Sequence, residues 1–352
     1  MNTDSLPNDN EPISAPDPVT RGQKNTLTPE NPKRCRVSVD NLSVTYHPSS
    51  SLSPLRAEQY MGDVIELVSS ALGGAPGDWI EQEQGFKSYR QSLIGPANSR
   101  LHFNPRNGSD FNLSLPGQAC QRAGTERLGI FMSSFVDAGA KARRVDLALD
   151  DYEKRITPAR FLEELRGPNK VAHSKKVITM TGEELGMPET GETVYLGGPK
   201  SARRLRVYDK SFESGGLIDA IRWELQERKR AAEKAAYDLA HGNWNEVICS
   251  RLVGYVDFKE RESAPRIQDR DRWGLYEELM EGAKKADAYF PVEDKSMEEV
   301  EEWFVRQNAT TLAMLLLHHG GDLSAIAAYA RNGMRRLRPK HLALIASSKK
   351  KY

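Results

Sequence analysis

Asp146 and Asp150 stand four residues apart in Ala142-Arg-Arg-Val-Asp-Leu-Ala-Leu-Asp150, a segment that reads as a buried strand. Side chains alternate across a strand, so Asp146, Ala148 and Asp150 project together while Val145, Leu147 and Leu149 face the other way. Two carboxylates on one face of an apolar strand are costly to bury without a cation or a donor. A hard divalent ion, Mg²⁺ or Mn²⁺, is one partner of the right chemistry. In the other reading Asp150 ends the strand at a turn and Asp146 pairs with an arginine. A second cluster runs from Gly191 to Lys210 as two strands joined by a Gly-Gly-Pro-Lys-Ser turn. Lys200, Arg203, Arg204, Arg206 and Lys210 place five cations there, beside Tyr195 and Tyr208. Cations next to a tyrosine favour its ionised form and stabilise phosphate charge. A phenolic nucleophile attacking a phosphodiester needs both. The same hairpin also reads as a solvated basic turn with two packing tyrosines. A third segment, Ile221-Arg-Trp-Glu-Leu-Gln226, turns Arg222, Glu224 and Gln226 to one face. Glu224 is then either a structural ion-pair partner of Arg222 or a third carboxylate for the Asp146/Asp150 site.

The elements that must position these groups are readable from apolar period and turn residues. Strands are expected at 37–46, with a local irregularity in its alternation, and at 89–94, 99–103, 111–115, 142–150, 175–181, 191–197, 203–210 and 221–226. Helices are expected at 56–73, ended by Gly73-Gly74, at 120–139, and at 158–166, with Thr157 as cap and Pro158 at the first position. From about residue 227 the pattern is helical, with breaks at Pro265, Pro291 and Gly320-Gly321. The expected fold is α+β. A disordered segment (1–36), poor in aliphatic residues, precedes a domain built on an antiparallel sheet (37–235), and a helical domain with a basic tail (236–352) follows.

No G-x-x-x-x-G-K-[ST], G-x-G-x-x-G, H-E-x-x-H, G-x-S-x-G or paired C-x-x-C occurs, which leaves nucleotide-driven motors and ordinary hydrolases without support. His318-His319 has no third metal ligand nearby in sequence and reads as a helix-end or core pair. Cys35, Cys120 and Cys249 suggest neither a disulfide framework nor a zinc site. No apolar run is long enough to span a bilayer and no signal peptide is evident, so a cytoplasmic location without membrane contact is expected. The 50 Lys+Arg nearly balance 49 Asp+Glu, but unevenly along the chain. Residues 199–210 hold five cations against one acid and residues 331–352 eight against none, leaving 37 cations against 48 acids elsewhere. An acidic remainder with two basic segments limits indiscriminate DNA binding and marks where a phosphate backbone would touch.

Four stretches in this order resemble the replication initiation factors of rolling-circle plasmids and filamentous phages, the Rep_trans family. They are Asp40-Asn-Leu-Ser-Val-Thr-Tyr46, Arg144-Val-Asp-Leu-Ala-Leu-Asp-Asp151, the hairpin from Tyr195-Leu-Gly-Gly-Pro-Lys-Ser to Arg206-Val-Tyr-Asp-Lys210, and Ile221-Arg-Trp-Glu-Leu-Gln226. Leu113-Ser-Leu-Pro-Gly-Gln-Ala-Cys120 is similar to the family's strand-Gly-x-x-Cys segment. The resemblance implies a DNA nicking-closing enzyme that starts rolling-circle replication. A tyrosine attacks an origin phosphodiester and becomes joined to the 5′ phosphate, and carboxylates hold Mg²⁺ or Mn²⁺. It implies Tyr208, ahead of Tyr195, as nucleophile and Asp146, Asp150 and Glu224 as metal ligands. Lys200, Arg203, Arg204, Arg206, Lys210 and Arg222 are the implied phosphate contacts. Origin DNA, single-stranded or supercoiled, a host helicase and polymerase, and a second copy of the chain are the implied partners. A non-catalytic DNA-binding regulator of the same fold and a conjugative relaxase are the rival readings. No H-x-H metal motif is present, so carboxylates must supply the ligands.

Overall fold

The computed structural model describes residues 34–47, 54–86, 88–106, 110–181, 191–281 and 297–348. Twelve strands lie among these residues: β1 Cys35–Tyr46, β2 Ile80–Gln82, β3 Tyr89–Ile94, β4 Arg100–Pro105, β5 Phe111–Pro116, β6 Lys141–Asp151, β7 Lys170–Ala172, β8 Val177–Thr181, β9 Glu192–Leu196, β10 Arg203–Asp209, β11 Ile221–Arg228 and β12 Val256–Phe258. The helices are α1 Pro54–Ala71, α2 Gly117–Asp137, α3 Pro158–Arg166, α4 Lys210–Glu213, α5 Arg230–His241, α6 Trp244–Tyr255, α7 Gly274–Leu279, α8 Met297–His318, α9 Leu323–Met334 and α10 Pro339–Ser348. The Thr157 hydroxyl caps α3 by accepting from the Arg160 amide, as its place before Pro158 predicts.

Ten strands form one antiparallel sheet in the order β2-β3-β4-β5-β1-β6-β11-β10-β9-β8. Its centre is the long pair β1 and β6, with β11 on the far side of β6. One face is apolar: Val39, Leu42 and Val44, then Val145, Leu147 and Leu149, then Trp223 and Leu225, then Leu205 and Val207 are all buried. Helices α2, α3, α5 and α6 pack against these strands. Trp223 is fully buried, with the Phe161 ring of α3 edge-on at 4.9 Å and Tyr276 of α7 at 5.8 Å. The opposite face carries the polar members of the same alternations. Covering only one side is the common arrangement for an antiparallel sheet, and here it leaves a platform for chemistry.

The register of β1 against β6 shifts between Val39 and Asn41, so Asp40 is an extra residue in the strand. This bulge is the irregularity read in the sequence, and it re-aims the Asp40 carboxylate along the polar face. The expected boundary at residue 235 cuts through α5, and both α5 and α6 pack on the sheet, so the sheet domain extends beyond it. A buried ion network ties them down. Glu227 of β11 accepts from Arg203 of β10 at 2.8 Å and from Arg251 of α6 at 2.6 Å, and Arg251 also reaches Asp238 of α5 at 3.0 Å. Helix α8 packs against both α9 and α10. The expected disorder of residues 1–36 lies outside the described residues except at the last three positions, where β1 is already starting. The last three cations of the basic tail lie outside them too.

Candidate active site

Register puts the chemistry-bearing residues on one face. Arg222, Glu224 and Gln226 of β11 stand opposite Asp150, Ala148 and Asp146 of β6. On its other side β11 faces Tyr208, Arg206 and Arg204 of β10. Arg206 and Tyr208 in turn oppose Tyr195 and Thr193 of β9. Asp146, Glu224, Tyr208 and Tyr195 therefore share a strip four strands wide, roughly 14 Å at ~4.8 Å per strand.

Each carboxylate on the strip is met by an arginine. Arg144 Nε donates to both oxygens of Asp146, at 2.9 and 3.0 Å, and its Nη2 also bonds Asp146. Arg206 Nη2 donates to Glu224 at 2.5 Å. Arg222 donates to Asp150 at 2.6 and 2.8 Å and to Asp40 at 2.8 Å. Glu224 is raised to about 7, first by burial and then by the neighbouring Asp146 and Asp40, against the pull of Arg206. Burial likewise pushes Asp146 up, and Arg144 offsets only part of the shift. Asp146 and Glu224, with Asp40 beside them, form one anionic patch, and Arg222 holds both Asp40 and Asp150. The Asp40 carboxylate lies against Gly117, the first residue of α2. A Cβ there would sit 3.0 Å from its Oδ1, so glycine permits the approach, and a helix N-terminus favours an anion.

The donor chemistry of Asp40, Asp146 and Glu224 suits a hard divalent cation. Among the described residues, no three carboxylate, histidine or cysteine side chains converge in a coordination geometry. The lone pairs a cation would use are held by Arg144 and Arg206, whose side chains are 39% and 30% exposed.

Tyr208 is 5% exposed. Its hydroxyl donates to Glu213 Oε2 of α4 at 2.9 Å and accepts from Arg206 Nη2 at 3.2 Å. The Arg206 guanidinium also lies 4.5 Å from the ring centroid, and Lys210 Nζ, paired with Glu213, lies 5.7 Å from it. The sequence suggested a phenol readied by cations. The structure corrects this, because burial and the adjacent Glu224 push the Tyr208 proton affinity up and outweigh Arg206 and Arg222. Deprotonation needs an acceptor, and Glu213 is in place. Burial raises its proton affinity, but the hydrogen bonds from Lys210 and Tyr208 outweigh that and hold it below the usual carboxylate value. Tyr195 is half-buried, with Arg204 stacked 3.8 Å from its ring centroid, and its hydroxyl has no hydrogen-bond partner among the described residues.

Two expected phosphate contacts sit elsewhere. Arg203 shares parity with Leu205 and Val207, faces the helices and is spent on Glu227. Arg222 is 1% exposed and bridges Asp150 to Asp40. Lys200 is exposed at the hairpin turn, and Arg204, Arg206 and Lys210 line the polar side. The sequence reading missed Glu213 and Asp40. The first follows Tyr208 by five residues through a single helical turn, and only the strand irregularity signalled the second.

The family described as Replication initiation factor (Rep_trans) matches residues 140–326, more than half of the chain. The fold is similar to that of a rolling circle replication initiator protein from Geobacillus stearothermophilus. The TM-score is 0.59 at 17% identity, covering 73% of this chain and all of the other. No curated protein is a sequence match.

Proposed function

Because the chain belongs to the replication initiation factor family, we propose that it nicks and rejoins origin DNA to start rolling-circle replication. Tyr208 is the nucleophile in this reading. The observation that carries it is the Tyr208 hydroxyl held between a carboxylate that takes its proton, Glu213, and a guanidinium, Arg206, that stabilises the oxygen as it loses that proton.

The Tyr208 oxygen attacks phosphorus and its proton passes to Glu213. The phosphorus–oxygen bond to the 3′ oxygen breaks, leaving a 5′-phosphotyrosine and a 3′ hydroxyl after protonation. Reversal rejoins the strand. Arg206 and Lys210 neutralise phosphate charge beside the phenol, and Arg204 and Lys200 hold the flanking backbone. Asp146 and Glu224, with Asp40 beside them, would hold Mg²⁺ or Mn²⁺, which when bound polarises the scissile phosphate. Asp150 holds Arg222 in place. Tyr195, with Arg204 on its ring, packs beside the DNA path. The setting is cytoplasmic, with host helicase and polymerase acting after the nick and a second copy of the chain as a further partner. No helix among the described residues is long and apolar enough to cross a membrane.

The arginines on Asp146, Asp150 and Glu224 also suit a DNA-binding relative without chemistry, and a relaxase would use the same site in conjugation. Incubation with supercoiled origin DNA and Mn²⁺ separates catalysis from binding. Wild-type and Tyr195→Phe protein should become covalently joined to a 5′ end, and Tyr208→Phe should not. Joining by Tyr208→Phe but not by Tyr195→Phe would move the nucleophile to β9. Binding without any nick would leave the regulator reading.

A further inference from the structure

The polar face continues well past the carboxylates. Arg100 and His102 of β4 stand opposite Ser114 and Asn112 of β5, which stand opposite Ser43 and Thr45 of β1. They therefore project on the same side as Asp146 and Tyr208. With Ser92 and Ile94 of β3 and residues 82–86 they line a cleft of about 480 Å³, within the range of small-ligand sites. Phe86 and the buried His102 form one side of it. The Phe86 ring lies nearly parallel to His102, centroids 5.0 Å apart and planes 29° apart, and Tyr89 follows at 6.1 Å from His102. Phe86 is 47% exposed, so a large ring is presented at the surface rather than buried. Around it stand groups able to read the edge of a planar heterocycle: the Gln82 and Gln84 amides, the Glu83 carboxylate and the Arg100 guanidinium. Arg100 is exposed and has no ion-pair partner among the described residues.

We infer that this cleft holds an unpaired nucleobase of the DNA strand that crosses the sheet, with Phe86 as the stacking platform and Arg100 on the adjoining phosphate or base edge. The inference rests on the DNA-nicking reading above. Aromatic stacking combined with a nearby cation is how proteins hold single strands, because every base has a π-face. Five strand spacings, about 24 Å at ~4.8 Å each, separate β4 from β10, which carries Tyr208. That is about seven nucleotide steps at ~3.4 Å each, so the cleft takes a base several positions from the scissile phosphate. A duplex cannot offer such a base, since its bases are stacked inside. The cleft thus gives the protein a preference for a strand already opened at the origin.

The test is fluorescence anisotropy of full-length protein with a short single-stranded oligonucleotide of mixed sequence, the same backbone made abasic, and the matching duplex. Phe86→Ala should weaken single-strand binding at least about fivefold and leave abasic and duplex binding unchanged, while Phe86→Trp should retain wild-type affinity. Arg100→Ala should weaken the intact strand and lower its salt dependence. Equal single-strand affinity of wild type and Phe86→Ala overturns the base site while leaving the nicking reading intact. So does an equal loss on the abasic strand. A wild-type protein that binds none of the three DNAs overturns both. Unchanged thermal midpoints of the variants keep a folding defect from being mistaken for either result.

Discussion

Arg222 grips Asp150 across the β11–β6 ladder with two nearly parallel hydrogen bonds, 2.6 and 2.8 Å long, and gives its remaining Nη1 to Asp40 at 2.8 Å. One buried guanidinium thus joins three strands, β11, β6 and the bulge of β1. It also fixes the distance between the bulge carboxylate and the anionic patch around Asp146. A bidentate pair with both partners buried is directional as well as attractive, which suits a residue that must hold geometry.

The first prediction follows from that grip. Removing one partner of a buried pair leaves an uncompensated charge, so Arg222→Met should lower stability by ~3–5 kcal/mol. The double variant Arg222→Met with Asp150→Leu should recover part of the loss, but not all, because Asp40 stays unpaired. Urea midpoints of the three proteins check this. A single-variant loss under ~1 kcal/mol would mean the three groups are solvated and the bridge does not organise the site.

Glu213 supplies the second. If it accepts the Tyr208 proton, Glu213→Gln should keep DNA affinity and fold while slowing strand joining by about 10²-fold or more. The amide still receives a hydrogen bond from the phenol but cannot take its proton at useful rates. Single-turnover joining rates at saturating DNA measure the step directly. A rate within twofold of wild type would pass the proton to another acceptor, with Glu224, whose Oε2 lies 3.5 Å from the Tyr208 oxygen, next in line.

Much of this arrangement was legible because period-2 alternation is a strong signal wherever one face is buried. Val145, Leu147 and Leu149 against Asp146 and Asp150 define β6 and its two faces from alternation alone. Trp223 and Leu225 do the same for Glu224. Arg203 was misplaced by charge counting, since the alternation itself, through Leu205 and Val207, already sent residue 203 to the helix side. Pairing across strands was not legible, because register is set by long-range contacts. The arginine on each carboxylate therefore came only with the sheet. Asp40 and Glu213 were hidden for a related reason: the broken alternation of β1 marks a bulge but not where Asp40 points, and a single helical turn leaves no periodic trace at Glu213.

The turn between β9 and β10 gives a third prediction. Gly197 has φ +104°, and a Cβ there would lie 2.5 Å from the Tyr255 hydroxyl and 3.0 Å from the Arg203 carbonyl. That hydroxyl shares its one proton between the carbonyls of Leu196 and Arg203, at 3.0 and 3.1 Å, and closes the base of the hairpin. Gly197→Ala therefore meets both backbone strain, on the order of 1–3 kcal/mol, and a clash with a buried phenol. Its melting temperature should fall by several degrees, and Tyr255→Phe should relieve part of the clash in the double variant. Gly198→Ala, where the nearest atoms are 3.3 Å or more away, should cost less. Equal effects at the two glycines would refute the close approach.

Arg203 and Lys200 make the sharpest contrast, because they lie three residues apart in one basic segment and face opposite fates. Arg203 is buried between Glu227 and the Arg251 carbonyl, and its loss leaves Glu227 with a single cationic partner. Arg203→Ala should cost ~3–5 kcal/mol of stability, and any protein that stays folded should bind DNA with unaltered salt dependence. Lys200 is exposed at the turn. Lys200→Ala should leave the melting temperature within experimental scatter, while the slope of log affinity against log salt falls by about one phosphate contact. Salt titrations of DNA binding beside thermal melts decide the matter in one experiment. A salt slope that drops for Arg203→Ala and holds for Lys200→Ala would reverse the assignment of the two sheet faces to helix packing and to DNA.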